Sequence, residues 1–243
     1  MPELPEVQIQ VNQLARRLAG RRILRVICRD PKIQLPRSLA GQRILTIRRR
    51  AKHIVVQLSG GRYLLAHLRM TGWFEFREPA TWRVAIITRG GTAYLADLRR
   101  FATLQVVTAA RLRELFARLG PEPLEASFDP IVLRQTHRAI KIALLDQQLV
   151  AGVGNIYASE ALFRARLSPR RRASRLTLAE CRRLHRGLVA AMRQAIGYGP
   201  RIFAVQQFRV YDRAGRACHR CRSPVRRIVQ AQRSTFYCPR CQR

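Results

Sequence analysis

The stretch Leu119-Gly120-Pro121-Glu122-Pro123-Leu124 separates two kinds of pattern in this 243-residue chain. Two prolines and a glycine in six residues suit neither a helix interior nor a central strand, so 118–128 is expected to be a linker. N-terminal to it, short β-type runs follow one another: Ile23 to Ile27, Ile44 to Ile47, His53 to Leu58, Tyr63 to Leu68, Val84 to Thr88, Thr92 to Leu95 and Thr103 to Val107. Ser59-Gly60-Gly61 and Arg89-Gly90-Gly91 supply turns between them. About seven strands at this spacing predict an antiparallel β-sandwich. Ahead of them Val7, Val11, Leu14 and Leu18 recur at helical spacing, an amphipathic stripe that Gly20 ends.

C-terminal to the linker the pattern turns helical. Asp129-Pro130 opens one predicted helix and Ile140 to Gln147 forms a second; Gly152-Val153-Gly154-Asn155 precedes a third near Ile156, and Thr177-x-x-Glu180 is the capping box of a fourth that reaches Gly197. The expected fold is therefore α+β. An N-terminal helix and antiparallel β-sandwich occupy 1–117, a helical domain 129–205, and a small β-type hairpin module 206–243.

Lys and Arg total 47 against 14 Asp and Glu, a formal net charge of +33. A surface this cationic calls for a polyanionic partner. Lysine occurs only at Lys32, Lys52 and Lys141, so the rest is arginine. A compact amine that can give up its proton is something arginine cannot imitate, which singles out the three lysines. No apolar run reaches the roughly 20 residues needed to span a bilayer, and the N-terminus lacks the basic and then apolar pattern of an export signal. An intracellular, cytoplasmic protein with no membrane partner is expected. Because the positive charge is interleaved with Leu, Ile and Val instead of forming a tail, disorder is not expected.

Cys218-x2-Cys221 and Cys238-x2-Cys241, sixteen residues apart, form a four-thiolate zinc pattern in which two knuckles converge on one structural ion. Cys28 and Cys181 lie in apolar surroundings and read as core or near-core residues.

The sequence opens Met1-Pro2-Glu3-Leu4-Pro5-Glu6. Proline in second place permits removal of Met1 and leaves a secondary amine at the chain start. An α-amino group titrates near 7.7 to 8.0, against about 10.4 for lysine, so much of it is unprotonated at neutral pH. Such an amine can attack a sugar or carbonyl carbon and form a Schiff base, with Glu3 and Glu6 as proton donor and acceptor beside it. The same residues also make an ordinary helix start with acidic first-turn groups.

Further motifs occur together with this one: Arg49-Arg50-Ala51-Lys52, His67-Leu68-Arg69-Met70-Thr71-Gly72, Gly152-Val153-Gly154-Asn155-Ile156-Tyr157-Ala158-Ser159-Glu160, and Ala231-Gln232-Arg233-Ser234-Thr235-Phe236-Tyr237-Cys238. From residue 2 to 241, and in the same order, they resemble the formamidopyrimidine-DNA glycosylases, bacterial base-excision-repair enzymes in a superfamily with endonuclease VIII. The resemblance implies a helix–two-turns–helix domain followed by a zinc-finger hairpin. It also implies a bifunctional glycosylase and abasic-site lyase acting on double-stranded DNA with damaged bases or abasic sites, as a monomer. By resemblance Pro2 is the nucleophile, Glu3 the acid for the sugar ring oxygen and Glu6 a positioning and proton-shuttling group. Lys52 corresponds to a phosphate-contacting lysine that assists proton transfer. Met70, Arg99 and Phe101 correspond to the residues that fill the gap left by an extruded nucleotide. Lys141, Asn155 and Arg233 correspond to phosphate contacts, while Lys32 reads as a surface residue.

The histidines carry less weight. His53 and His67 are expected to be packed or phosphate-adjacent, His137 and His185 to lie on helix surfaces, and His219 to sit inside a cysteine knuckle without ligating. Three departures bear on substrate choice. Residues 197–208 are shorter than the family's base-capping loop and lack its Gly- and Thr-rich composition; Asp212 stands where glycine is usual; and Thr81-Trp82-Arg83 lacks a histidine-containing signature. These leave preference for 8-oxoguanine in doubt. Two rival readings keep the charge and the zinc site: a non-catalytic binder of damaged or abasic DNA with the same fold, and an RNA- or ribosome-associated zinc protein.

Overall fold

A computed structural model describes residues 2–205 and 207–243. Met1, whose removal was expected, and Gln206, the expected start of the zinc module, lie outside the described residues. The chain divides into two compact units, one ending at Ala117 and the other beginning at Arg118.

In the first unit, helix α1 (Leu4–Leu18) precedes eight strands: β1 (Ile23–Cys28), β2 (Ile44–Arg50), β3 (His53–Leu58), β4 (Arg62–His67), β5 (Trp73–Glu75), β6 (Val84–Thr88), β7 (Gly91–Ala96) and β8 (Thr103–Thr108). They form two four-stranded antiparallel sheets, in the orders β1-β6-β7-β5 and β2-β3-β4-β8. One apolar cluster joins the sheets and the helix. It contains Val7, Val11, Leu14 and Leu18 of α1, Ile23, Phe74, Val84, Ile86 and Leu95 of the first sheet, and Ile44, Ile54, Val56, Leu64 and Leu104 of the second. The predicted sandwich and the predicted helical stripe are both present.

Two elements went unforeseen. Strand β5 is only three residues long, too short to carry an alternation. It is held because Gln10, buried within α1, accepts a hydrogen bond from Phe74 N at 2.5 Å and donates one to Phe74 O at 3.3 Å, imitating a neighbouring strand. Helix α2 (Ala109–Ala117) covers the outer face of the second sheet, where Leu112 packs with Val55, Leu65 and Val107. Burial on both faces explains why the middle of β3 is continuously apolar.

The second unit contains α3 (Ile140–Leu145), α4 (Asn155–Arg164), α5 (Leu178–Gly197), the short α6 (Ile202–Val205), and an antiparallel hairpin of β9 (Arg226–Gln230) and β10 (Arg233–Tyr237). Thr177 and Glu180 form the expected capping box of α5. The helix expected after Asp129-Pro130 is instead a 3-10 segment, Pro130–Arg134, in which the Asp129 carboxylate accepts from Ile131 N. Residues 119–124 are docked within this unit. Gly120 N donates to Gln147 O, Ala151 N to Pro121 O, and a Cβ at Gly120 would lie 2.3 Å from Gln148 O. His185, expected on a helix surface, is half-buried and fastens the same stretch, with its Nε2 2.8 Å from Pro123 O and its ring stacked on Phe128. Cys181 is buried, but Cys28, the last residue of β1, is exposed.

A single carboxylate anchors the start of the zinc module. Glu160, buried in α4, accepts from the backbone N–H groups of Arg209, Val210 and Tyr211 at 2.9 to 3.0 Å. Asp212 follows at φ +53°, in the left-handed region that glycine favours and aspartate tolerates. Glu160→Ala leaves three backbone donors, that of Val210 buried, without their acceptor and is expected to lower the unfolding free energy by about 2 kcal/mol, read from urea denaturation. A loss under about 0.5 kcal/mol, the range of an ordinary surface change, would show that the carboxylate is not an anchor.

Candidate active site and nucleic-acid contacts

Pro2, Glu3 and Glu6 sit at the start of α1, all three buried. Glu3 occupies the N-cap with extended backbone; its side chain accepts from the backbone N–H of Glu6, while Glu6 Oε2 accepts from Glu3 N at 2.8 Å. Two carboxylates are thereby fixed within a turn of the chain start. Lys52 is half-buried in the two-residue turn between β2 and β3, beside Ala51 at φ +50°. The turn is fastened to α1 through Arg49, whose Nε donates to Gln8 Oε1 at 2.9 Å and whose Nη1 donates to Ala51 O at 3.1 Å. Arg49 opens a motif quoted above but had no role of its own, and Gln8 was not singled out, since no sequence pattern ties position 8 to position 49.

Met70 and Phe101 are large apolar residues left exposed, at 40% and 50%. Met70 lies in the loop joining β4 to β5 and Phe101 in the loop joining β7 to β8, where the exposed Arg99 places its guanidinium 4.9 Å from the Phe101 ring centre. The two loops are one structure. Asp97, fully enclosed, accepts from the Thr71 hydroxyl and from Ala102 N at 2.7 Å, and Thr71 Oγ1 accepts from Arg99 N at 3.4 Å. At Gly72 an added Cβ would lie 2.8 Å from the Ala102 Cβ, so glycine permits the loops to touch.

His53 and His67 face each other across β3 and β4, with ring centres 4.7 Å apart. Burial, reinforced by the cationic groups of Arg69, Arg50 and Lys52, pushes His53 down to about 4. Burial together with His53, Arg69 and Lys52 pushes His67 down to about 3. Both rings are neutral at pH 7. His67 Nδ1 accepts from Arg69 N at 3.0 Å and so shapes the turn leading to Met70, where Arg69 has φ +56°.

In the second unit Lys141, Asn155 and Arg233 come together. Lys141 on α3 is fully buried, and its Nζ reaches Ser234 O at 3.4 Å; Asn155, the first residue of α4, donates from Nδ2 to the same carbonyl at 2.9 Å. Ser234 adjoins the exposed Arg233, which follows the tight turn at Ala231 and Gln232, both at positive φ. Lys32, as expected, is exposed in the first unit.

At the base of the same hairpin the sulfurs of Cys218, Cys221, Cys238 and Cys241 all lie within 4.8 Å of one another, with Cys218 to Cys241 at 3.9 Å and Cys221 to Cys238 at 3.4 Å. Zinc–thiolate bonds of about 2.3 Å in a tetrahedron place sulfurs at this spacing. Burial and the neighbouring sulfurs push the Cys241 thiol up to about 12, whereas hydrogen bonds from Ser223 pull Cys221 down to about 6, and a bound divalent cation would hold all four as thiolates. His219 is exposed in the first knuckle and is not part of the cluster.

Residues 1–104 match the formamidopyrimidine-DNA glycosylase N-terminal domain, 119–207 the formamidopyrimidine-DNA glycosylase H2TH domain, and 215–243 the zinc finger found in that glycosylase and in IleRS. The chain belongs to the formamidopyrimidine-DNA glycosylase family. It is 43% identical to the formamidopyrimidine-DNA glycosylase of Thermus thermophilus, with 100% of this chain and 98% of that protein covered. That alignment runs over 263 positions, so the relative carries residues with no counterpart among the 243 here. The solved MutM (Fpg) structure from Thermus thermophilus superposes with a TM-score of 0.88 at 40% identity, covering 99% of this chain and 98% of that one. The Lactococcus lactis family member, solved non-covalently bound to DNA containing an abasic site, superposes with a TM-score of 0.90 at 30% identity over 99% of each chain. A MutM complex with DNA containing carbocyclic 8-oxo-G gives 0.89 at 30% identity over 100% of each. With the zinc-finger family and the sulfur geometry in agreement, the four cysteines are the ligands of one structural zinc ion.

Cys238→Ser is expected to lose that zinc and with it the ordered hairpin, read by elemental analysis and by circular dichroism; one equivalent of zinc in the purified variant would contradict this. The histidine pair predicts an acid dependence. Histidines with an ordinary value of 6.5 in the unfolded chain take up protons that the folded rings refuse, so their contribution to stability is complete above pH 6.5 and is lost as the pH falls toward 4. Urea midpoints should drop between pH 7 and pH 4.5, and drop less in His53→Phe; equal slopes for the two proteins would refute the assignment.

Proposed function

We propose that this chain is a bifunctional base-excision enzyme, removing oxidised bases from duplex DNA and cutting the strand at the abasic site. The observation that carries the reading is the start of α1, where Glu3 and Glu6 are buried and locked together immediately behind Pro2. With Met1 removed, the Pro2 nitrogen donates its lone pair to C1′ of the damaged nucleotide, the bond from C1′ to the base breaks with its electrons leaving on the base, and the proton lost from the nitrogen neutralises the departing base. Glu3 gives a proton to the sugar ring oxygen, the ring opens, and the nitrogen–carbon link becomes an iminium. Loss of a C2′ proton then expels the 3′ phosphate, a second elimination expels the 5′ phosphate, and water hydrolyses the iminium to restore Pro2. Glu6 holds Glu3 in place and relays protons. Lys52, compact enough for a turn, contacts phosphate next to the lesion and assists those transfers.

Met70, Arg99 and Phe101 fill the space vacated by the extruded nucleotide, since a base inside the stack cannot be reached. Lys141, Asn155 and Arg233 hold phosphates and set register without reading sequence. The zinc ion shapes the hairpin that presents Arg233 and takes no part in bond breaking. In this reading 1–117 is the catalytic domain, 118–128 a connector, 129–205 the helix–two-turns–helix domain and 206–243 the zinc hairpin. The enzyme works as a cytoplasmic monomer, on the nucleoid when bound to DNA. Between the end of α5 and the residues held by Glu160 there is room only for a short segment. It offers few backbone groups to enclose a base, which favours a specificity broader than 8-oxoguanine.

Borohydride reduction tests the chemistry. The native protein is expected to form a covalent adduct with abasic-site duplex DNA, and Pro2→Gly to lose it by about a hundredfold or more while still binding DNA. An adduct of equal yield in Pro2→Gly overturns the role of Pro2. Salt-sensitive binding with neither adduct nor nicking by the native protein overturns the enzymatic reading.

A further inference from the structure

The segment in which this chain departs from its family's pattern, Thr81-Trp82-Arg83, contributes a buried cation to the network behind the gap-filling loops. The Arg83 side chain is 6% exposed and bridges two enclosed carboxylates. Its Nε lies 2.5 Å from Asp30 Oδ2, and its Nη1 lies 3.1 Å from Asp97 Oδ2 and 2.6 Å from Ala102 O. The backbone of Arg83 is itself fixed, its N–H bonded to Leu95 O and its carbonyl to Arg29 N. Asp30 has a second partner in Arg100, from the loop that also carries Arg99 and Phe101, at 2.5 and 3.1 Å. That bond, with the Lys32 amide and Arg83, outweighs burial and holds Asp30 well below the usual carboxylate range. Asp97 in turn ties Thr71 and Ala102 together. Without Arg83 the pocket would contain two buried carboxylates, one of them with no cation beside it, and the loop joint would lose the group that balances it.

We propose that Arg83 is a positioning residue: by bridging Asp30 and Asp97 it makes residues 68–72 and 97–102 one rigid wedge, and so determines how the unpaired base opposite the lesion is discriminated. The proposal rests on the base-excision reading above. Side chains that fill the gap left by an extruded nucleotide stand against its unpaired partner, and for Met70, Arg99 and Phe101 to favour one partner over another they must be held to a fraction of an ångström. Arg83 touches no DNA in this scheme and acts only through the loops.

The test uses Arg83→Lys, which keeps one cation but cannot reach both carboxylates and the Ala102 carbonyl, and Thr71→Val, which cuts the bond between the loops and leaves the ion network alone. Single-turnover excision is measured on duplexes with a formamidopyrimidine opposite each of the four bases. Borohydride trapping on a single-stranded abasic oligonucleotide, which presents no opposite base, is measured alongside. Both variants are expected to compress the spread of rates across the four opposite bases by about tenfold, with trapping on the single strand within about twofold of native. An unchanged spread overturns the proposal. A parallel loss on single strand and duplex overturns it as well, because that is the signature of general damage. If the native protein forms no adduct at all, the base-excision reading fails and this proposal with it, an outcome distinct from an active native enzyme whose variants keep its selectivity.

Discussion

Asp97 accepts from the Thr71 hydroxyl, the Ala102 amide and the Arg83 guanidinium while its side chain is fully enclosed, and the working end of the first unit depends on that carboxylate. Loops between strands are ordinarily the mobile parts of a sandwich. Here two of them, from different sheet connections, share an acceptor, and a bare Gly72 lets their backbones meet. The exposed groups that result, Met70 and Phe101, are thus displayed from a braced platform. Such a display suits the gap-filling role proposed for Met70 and Phe101.

The same device recurs, and it changes the meaning of the net charge. Of the few acidic residues, Glu3, Glu6, Asp30, Asp97, Glu122 and Glu160 are all buried. Glu3 and Glu6 satisfy backbone donors at the start of α1, Glu160 collects three more at the zinc module, and Asp30 and Asp97 neutralise arginines inside the sandwich. Carboxylates committed to internal anchoring leave the arginine-rich exterior with little to neutralise it. A surface of that kind binds polyanions by releasing their counterions, in a strongly salt-dependent way. Placing anions inside and cations outside therefore serves folding and partner choice at once, and the whole-chain figure of +33 understates how one-sided the surface is.

How much of this was legible in the sequence follows the range of the interactions. The stripe Val7, Val11, Leu14 and Leu18, the seven longer strands and the capping box at Thr177 are local patterns, and all stand as read. The four cysteines were legible because ligand spacing is itself a local signal. Strand β5 was not, since its stability comes from Gln10, more than sixty positions away, imitating a strand. Cys28 was misplaced because an apolar run does not say where its strand leaves the core, and the last residue of β1 is open to solvent. The network of Asp30, Thr71, Arg83, Asp97 and Arg100 left no periodic trace, being drawn from the ends of separate elements. Its one hint was the rarity of acids in so basic a chain. Pro2 and Glu3 were candidates from the chemistry of an N-terminal amine and Lys52 from the scarcity of lysine, and resemblance gave them their roles; the reason the Lys52 turn is held to α1, the bond from Arg49 to Gln8, is visible only in three dimensions.

The three lysines differ in what holds them to that identity. Lys32 is exposed, and nothing in the structure distinguishes it from an arginine. Lys141 is fully buried, yet its Nζ reaches the Ser234 carbonyl that Asn155 also bonds, beside Arg233. A planar guanidinium with five donors would need a wider channel and more acceptors along it, and each unsatisfied donor would be costly at that depth. A slender stem passes through the packed junction of α3, α4 and the hairpin and brings its nitrogen to that carbonyl. In a chain that otherwise uses arginine for nearly every positive charge, lysine persists at Lys141 because the packing of the second unit admits nothing broader.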